Sequence, residues 1–198
     1  LDWNDFNTKA KHAKIILLCN PHNPTGKVWS EDELIKISEI CSKKNCWLLS
    51  DEIHSDFTWP GHEHHVFANL DPKYAEISIT CTAPSKTFNL AGLQTSNIFI
   101  PNRTLRKTFK KAIDQAGYSQ LNTLGLVACQ AAYEEGEPWL TELKKYLLEN
   151  LDFSRDYIER NLPGVHLIEP EGTYLIWLDF RDLRLPEEKL EHLITKEA

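Results

Sequence analysis

The sequence predicts an α/β protein with a mainly parallel β-sheet that is covered by helices on both faces. Its short apolar runs, "KIILLC", "CWLLS" and "ISITC", are continuous, which is typical of strands buried on both sides. Segments with helical spacing of apolar residues separate these runs. Strands that alternate with helices favour parallel pairing, because each crossover returns the chain to the same end of the sheet.

The first strand–helix–strand unit is predicted within residues 14–50. Residues 14–19 are an apolar run, and the turn-rich segment "NPHNPTG" follows it. Ser30 precedes Glu33 by three residues, which is the spacing of a capping box, so we expect a helix to begin there. That helix is expected to end before a second buried strand at 46–50.

The remaining elements follow from the same patterns. The other predicted strands are 77–81 and 97–100, and the other predicted helices are 102–116, a segment from about 119, and a long amphipathic helix from Pro138 toward Asn161. The later segment "VHLIEPEGTYLIWLDF" predicts two strands, and Pro186 predicts the start of a helix. We expect residues 1–154 to be part of a large domain that includes the linking helix, and residues 155–198 to begin a smaller α+β domain.

Composition argues against several classes of partner. The 198 residues carry a net charge of -7 without a run of Lys and Arg, so no nucleic-acid partner is expected. No apolar segment approaches the roughly 18 residues of a membrane span.

The five cysteines are odd in number and form no Cys-x-x-Cys pair, which indicates buried thiols in a reducing compartment such as the cytoplasm. The chain contains no methionine and ends in an uncapped helical pattern, so we expect it to be an internal piece.

Three polar residues follow the three predicted parallel strands. Asn23, Asp51 and Lys86 each come after a strand, where the carboxyl ends of parallel strands gather ligand-binding loops. Taken singly, they are an ordinary turn residue, a strand-end cap and a solvated loop charge. Taken together, they are what pyridoxal phosphate requires: an amine able to form a Schiff base, a carboxylate for the pyridine nitrogen, and an amide for the phenolic oxygen.

The motifs "NPHNPTG", "DEIHSD" and "SKTFNLAGLQ", in that order, resemble those of pyridoxal-phosphate enzymes of the aspartate-aminotransferase fold. They are most similar to the cystathionine and cysteine-conjugate β-lyase branch, of the MalY and PatB type. The resemblance covers nearly the whole chain, including "GKVWSEDEL" and "LVACQAAYEEGEPWL". It implies that the first domain is part of the large domain of a fold type I enzyme.

The resemblance also implies roles for individual residues. Lys86 would form the Schiff base and move protons, and Asp51 would pair with the pyridinium nitrogen. Asn23 would bond the phenolic oxygen O3′, and Ser85 would bind the phosphate through its hydroxyl. His54 is expected to lie near the cofactor without a catalytic part, and a purely structural role for it stays open.

Three departures from the aminotransferase pattern favour the lyase branch. Aminotransferases of this fold usually have a tyrosine where this chain has His54, an arginine where it has Gln94, and often a serine where it has Ala83. Losing the arginine removes a charge-assisted clamp on the phosphate. The implied reaction is β-elimination from an L-amino acid with sulfur at Cβ, giving a thiol, pyruvate and ammonia. An aminotransferase and a regulatory or binding protein of the same fold remain the alternatives.

The family resemblance further implies a homodimer that acts on small amino acids. It places the phosphate-binding loop, an aromatic residue over the cofactor ring and an arginine for the substrate carboxylate outside these residues, so we expect the piece alone to be inactive.

A separate cluster, His62, His64 and His65, could suggest a metal site. Its spacing fits no zinc pattern, and we expect a polar rim of the active site there and no metal.

Overall fold

The computed structural model describes residues 1–118 and 120–197, and four of its strands form one sheet. The strands are β1 Ile15–Cys19, β2 Trp47–Asp51, β3 Ser78–Thr82 and β4 Asn97–Phe99. They lie in the order β1-β2-β3-β4; the first three are parallel, and β4 runs antiparallel to β3. The predicted α/β class with a mainly parallel sheet is therefore confirmed, and each predicted strand lies within one residue of its position.

The helices and strands outside this sheet complete the described fold. The helices are α1 Trp3–Ala10, α2 Glu31–Lys44, α3 Pro72–Ala75, α4 Pro84–Thr87, α5 Arg103–Gln115, α6 Thr123–Glu135, α7 Glu137–Asn161 and α8 Glu187–His192. Strands β5 His166–Ile168 and β6 Trp177–Asp179 pair antiparallel in a second sheet. Helices α1, α3 and α4 are additions to the predicted elements, because each is too short to show a clear helical period in the sequence.

Two predictions on the helices need adjustment. Helix α6 was expected from about residue 119, but it begins after Asn122, whose side-chain oxygen accepts the N–H of Leu124. Ser119 and Ala198 lie outside the described residues. Helix α7 runs without a break through the predicted boundary between residues 154 and 155. The division into two domains at that point stays a prediction.

The predicted capping box defines the start of α2. The Ser30 hydroxyl accepts the N–H of Glu33 at 3.3 Å, and the Glu33 carboxylate accepts the N–H of Ser30 at 3.0 Å. The helix ends at Asn45, whose left-handed backbone (φ 54°) lets its N–H reach the carbonyls of the last turn. Both ends of α2 are thus fixed by local hydrogen bonds.

The buried face of α2 supplies the main core of the sheet. Leu34, Ile37 and Cys41 of α2 pack with Leu18 of β1 and Leu48 of β2, and all five are buried. Burying each such aliphatic side chain contributes about 1.5–3 kcal/mol relative to exposure. This packing holds the parallel strands side by side.

The opposite face of β1 is open in the described residues. Ile15 and Leu17 are 52% and 76% exposed, because no described helix covers them. Among residues 1–118 and 120–197, no helix combines the length and the apolar character needed to cross a membrane.

We predict that Ser30→Ala lowers the free energy of unfolding by about 1 kcal/mol, since the first turn of α2 loses its side-chain cap. The measurement is chemical denaturation of the variant beside the wild type. Ser154→Ala is the matched control, because Ser154 lies inside α7 and its hydroxyl bonds only the carbonyl of Asn150. Equal losses in the two variants would contradict a special role for the cap.

Candidate active site

The in-register ends of β1, β2 and β3 place Asp51 between two cysteines. Cys19 of β1 and Cys81 of β3 lie opposite Asp51 on either side. Burial raises the pKa of both thiols, so they stay neutral; the negative charge of Asp51 adds to the shift, and at Cys19 the N–H of Asn23 opposes it. The Asp51 carboxylate accepts the N–H of Ile53 at 3.3 Å and has lone pairs left for a further donor.

The loop after β1 carries Asn23. Its turn closes through the N–H of Gly26, which donates to the carbonyl of His22 at 2.8 Å, and Gly26 has a φ of +75° that favours glycine. The Asn23 side chain is exposed, and its Nδ2 lies 3.4 Å from Nε2 of His54. Asn23 and His54 therefore meet although they follow different strands.

His54 is buried in the loop after β2, with 1% of its surface exposed. Burial, followed by the positive charge of Lys86, lowers the pKa of His54, while the negative charge of Asp51 opposes this shift. Its Nδ1 has no hydrogen-bond partner within the part of the chain that the structure describes. The ring is consequently neutral near pH 7, and Asn23 is its one polar partner there.

Lys86 lies on the one-turn helix α4, directly after β3. Pro84 begins this helix, and Thr87 anchors it through a hydroxyl that donates to the Asp56 carboxylate at 2.6 Å. Lys86 is half-buried, and its amine has neither a hydrogen bond nor an ion pair to any residue in 1–118 or 120–197. An amine left available in this way can react with a carbonyl group.

The structure brings Asn23 and His54 into contact and puts Asp51 and Lys86 close enough to affect the pKa of His54. Ser85 is half-buried beside Lys86, but its side chain makes no contact with the other four among the described hydrogen bonds. The site is open to solvent in this chain.

The two other departures noted in the sequence lie on the same segment as Lys86. Ala83 is buried where the chain enters α4. Gln94 is exposed and has a left-handed backbone (φ 53°) after the short 3₁₀ turn Ala91–Leu93. Gln94 thus faces solvent in this chain.

A buried carboxylate that the sequence analysis missed supports the loop after β2. Glu52 is 1% exposed and accepts hydrogen bonds from the Ser50 hydroxyl at 2.8 Å and the Phe67 N–H at 3.1 Å. Nε2 of His64 lies 3.0 Å from the same carboxylate. The signal in the sequence was "DE" at the end of a buried strand, where neighbouring side chains point to opposite faces of the sheet.

The pairing with Glu52 gives His64 a structural partner, and the expected polar rim of the active site stays a prediction. In the described ranges, no group of three or more His, Cys, Asp or Glu side chains is arranged to hold a metal ion.

A second feature that the sequence analysis missed is the segment of residues 170–174, here called the strap. The N–H groups of Glu171 and Gly172 donate to the carbonyl of Gly26 at 3.0 and 2.8 Å, and the Glu171 carboxylate accepts the N–H of Val28 at 2.7 Å. The N–H of Thr173 donates to the carbonyl of Phe57 at 2.8 Å. The strap therefore ties the loop that carries Asn23 to the loop that carries His54.

Known proteins are similar to this chain along nearly its whole length. The family model "Aminotransferase class I and II" matches residues 1–197. The chain belongs to this family. It is 42% identical over 200 residues to cystathionine beta-lyase PatB of Bacillus subtilis, an alignment that covers 100% of this chain and 52% of that protein.

Solved structures of family members superpose closely on the chain. Cystalysin of Treponema denticola, which contains pyridoxal 5'-phosphate, matches with a TM-score of 0.94 and 42% identity over 99% of this chain and 50% of its own. A PLP-bound C-S lyase of Staphylococcus hominis matches with a TM-score of 0.88 and 39% identity over 98% and 50%. The chain thus spans about half the length of the relatives it matches.

We predict that the free energy of unfolding falls as the pH drops below about 6.5, because the unfolded state binds a proton at His54 before the folded state does. The slope from one such group is at most about 1.4 kcal/mol per pH unit. Denaturation of the wild type and of His54→Gln across this range measures it, and the variant should show a smaller slope. His62→Gln is the control, because His62 is exposed; an equal change in both variants would contradict the assignment to His54.

Proposed function

We propose that this chain is the cofactor-binding part of a pyridoxal-phosphate-dependent carbon–sulfur β-lyase. The observation that carries the proposal is that Asp51 ends the central one of three adjacent parallel strands, while Asn23 and Lys86 follow the strands on either side of it. Similarity to PatB and to the PLP-bound C-S lyase supports the same conclusion.

The residues fit pyridoxal phosphate by their chemistry. Lys86 offers an amine without an ion-pair partner in the described ranges, and Asp51 offers a carboxylate with unused lone pairs. The Asn23 amide can donate a hydrogen bond to an oxygen, and the neutral His54 beside it adds no competing positive charge. When bound, the cofactor supplies an electron-accepting pyridine ring that stabilises negative charge at the substrate Cα.

Each residue then has a defined task. Asp51 would hold the protonated ring nitrogen by accepting its hydrogen bond, and so would keep the ring electron-poor. Asn23 would orient the ring by donating to its phenolic oxygen. Lys86 would hold the cofactor covalently through its amine, and the freed amine would accept the Cα proton of the substrate. Ser85 and backbone N–H groups would contribute to phosphate binding, since Gln94 provides no arginine clamp.

The proposed substrate is an L-amino acid with sulfur at Cβ, such as cystathionine. Removal of the Cα proton by Lys86 allows the Cβ–S bond to break, and sulfur leaves with the bonding electrons as a thiolate that takes up a proton. Water then hydrolyses the remaining three-carbon unit to pyruvate and ammonia. No oxidant or reductant is required.

We further propose that activity needs a longer homodimeric protein that contains this chain and works in the cytoplasm. The exposed Ile15 and Leu17, the open site and the half-length coverage of the relatives support the need for more chain. The free thiols of all five cysteines fit a reducing compartment. A proposed boundary between residues 154 and 155 would place the strap in the smaller domain.

We predict that the intact protein containing this sequence releases pyruvate and a thiol from cystathionine, and that Lys86→Ala lowers the rate at least about a hundredfold because the Cα proton loses its acceptor. Coupled assays of pyruvate and free thiol measure the rate. Lys43→Ala is the control, because Lys43 is exposed on α2 and pairs with Glu39.

Amino transfer to a keto acid without pyruvate release would contradict the lyase assignment and favour an aminotransferase. Both reactions use the same lysine, so the products distinguish them. Neither product, with cofactor still bound, would indicate a binding or regulatory protein. An isolated 198-residue chain that turns over cystathionine would contradict the need for a longer protein.

A further inference from the structure

The ring of Tyr174, the last residue of the strap, lies against His54. The two ring centroids are 5.4 Å apart, and the planes are inclined by 58°. Tyr174 also makes an edge-to-face contact with Phe57, at 5.2 Å and 87°. The ring of Tyr174 therefore packs on two aromatic rings of the loop that follows β2.

Hydrogen bonds alone do not hold His54 in place. Its Nε2 has one partner, the Asn23 amide at 3.4 Å, and its Nδ1 has none among the described residues. A contact of that length is weak. The orientation of the imidazole must therefore depend on the side chains packed around it, and Tyr174 is the aromatic ring that contacts it.

The strap leaves Tyr174 little freedom to move. A Cβ added at Gly172 would lie 2.6 Å from the carbonyl oxygen of Phe57 and 2.9 Å from Cγ2 of Val28, so the two backbones approach as closely as glycine permits. The N–H of Thr173 donates to the same Phe57 carbonyl at 2.8 Å. The two residues that precede Tyr174 are thus fixed to the loop that carries His54.

We propose that Tyr174 is a positioning residue, whose ring holds His54 against Asn23 and so keeps the Asn23 amide aimed at the cofactor oxygen. The reference to the cofactor rests on the proposed function. The contact also joins the segment after residue 155 to the cofactor-side loops, so a shift of the strap would be transmitted to Asn23 through His54.

Removing the Tyr174 ring should change the surroundings of His54 in a measurable way. Tyr174 borders a cavity of about 150 Å³ that Trp59 and Leu151 also line. Without the ring, this cavity would extend to His54 and admit water, which weakens the burial that lowers the pKa of His54. Lys86 and Asp51 are the charged groups that act on His54, and neither changes in such a variant.

The test compares Tyr174→Leu, Tyr174→Phe and Tyr157→Leu in the intact protein that contains this sequence. The pKa of His54 is measured by NMR titration of the cofactor-free protein, and the Kd for pyridoxal phosphate by spectroscopic titration. Tyr157→Leu is the control, because the ring of Tyr157 stacks on Phe153 at 6.1 Å on the exposed side of α7.

We expect Tyr174→Leu to raise the pKa of His54 toward its ordinary value and to weaken pyridoxal-phosphate binding at least about threefold, the scale of one aromatic pair. Tyr174→Phe keeps the ring and should retain the wild-type pKa and Kd, as should Tyr157→Leu.

Three results would overturn the proposal: an unchanged pKa and Kd in Tyr174→Leu, equal changes in Tyr174→Phe, or equal changes in Tyr157→Leu. If the wild type fails to bind pyridoxal phosphate, the proposed function fails, and the pKa of His54 still decides whether Tyr174 positions the imidazole.

Discussion

The common end point of three parallel strands is the constraint on which the rest of the structure depends. Cys19, Asp51 and Cys81 lie side by side, and the hydrogen bonds from Asn20 to Asp51 and from Glu52 to Cys81 continue the ladder one step further. Because the strands end together, the three following segments leave the sheet at one edge. An amide, a carboxylate and an amine separated by tens of residues in the sequence therefore gather in one place.

Two sets of hydrogen bonds hold the loops around these residues in place. The buried Glu52 accepts hydrogen bonds from the Ser50 hydroxyl and the Phe67 N–H and pairs with His64, so the loop after β2 is fixed although its backbone is irregular. The strap bonds both the loop that carries Asn23 and the loop that carries His54. The charged groups proposed for the chemistry have few hydrogen-bond partners, whereas the Glu52 carboxylate that holds the loop after β2 has three. The proposed reactivity of Lys86 rests on that difference.

The sequence was sufficient for the strands of the main sheet and for α2, but not for the contacts that hold the loops around the site. Continuous apolar runs located all four strands of the main sheet, and the capping pair Ser30 and Glu33 located α2, since these signals are local. The antiparallel direction of β4, the burial of Glu52 and the strap depend on contacts between distant segments, which periodicity cannot show. Asn23, Asp51 and Lys86 could be singled out because strand ends are predictable, whereas the packing of Tyr174 on His54 could not.

We propose that Lys86 is the residue that bonds the cofactor covalently. The most direct measurement is borohydride reduction of the intact protein loaded with pyridoxal phosphate, followed by proteolysis and mass spectrometry. We expect the reduced cofactor on the peptide that contains Lys86, and we expect Lys86→Ala to abolish this label. A label on another lysine of the wild type, or none at all, would contradict it.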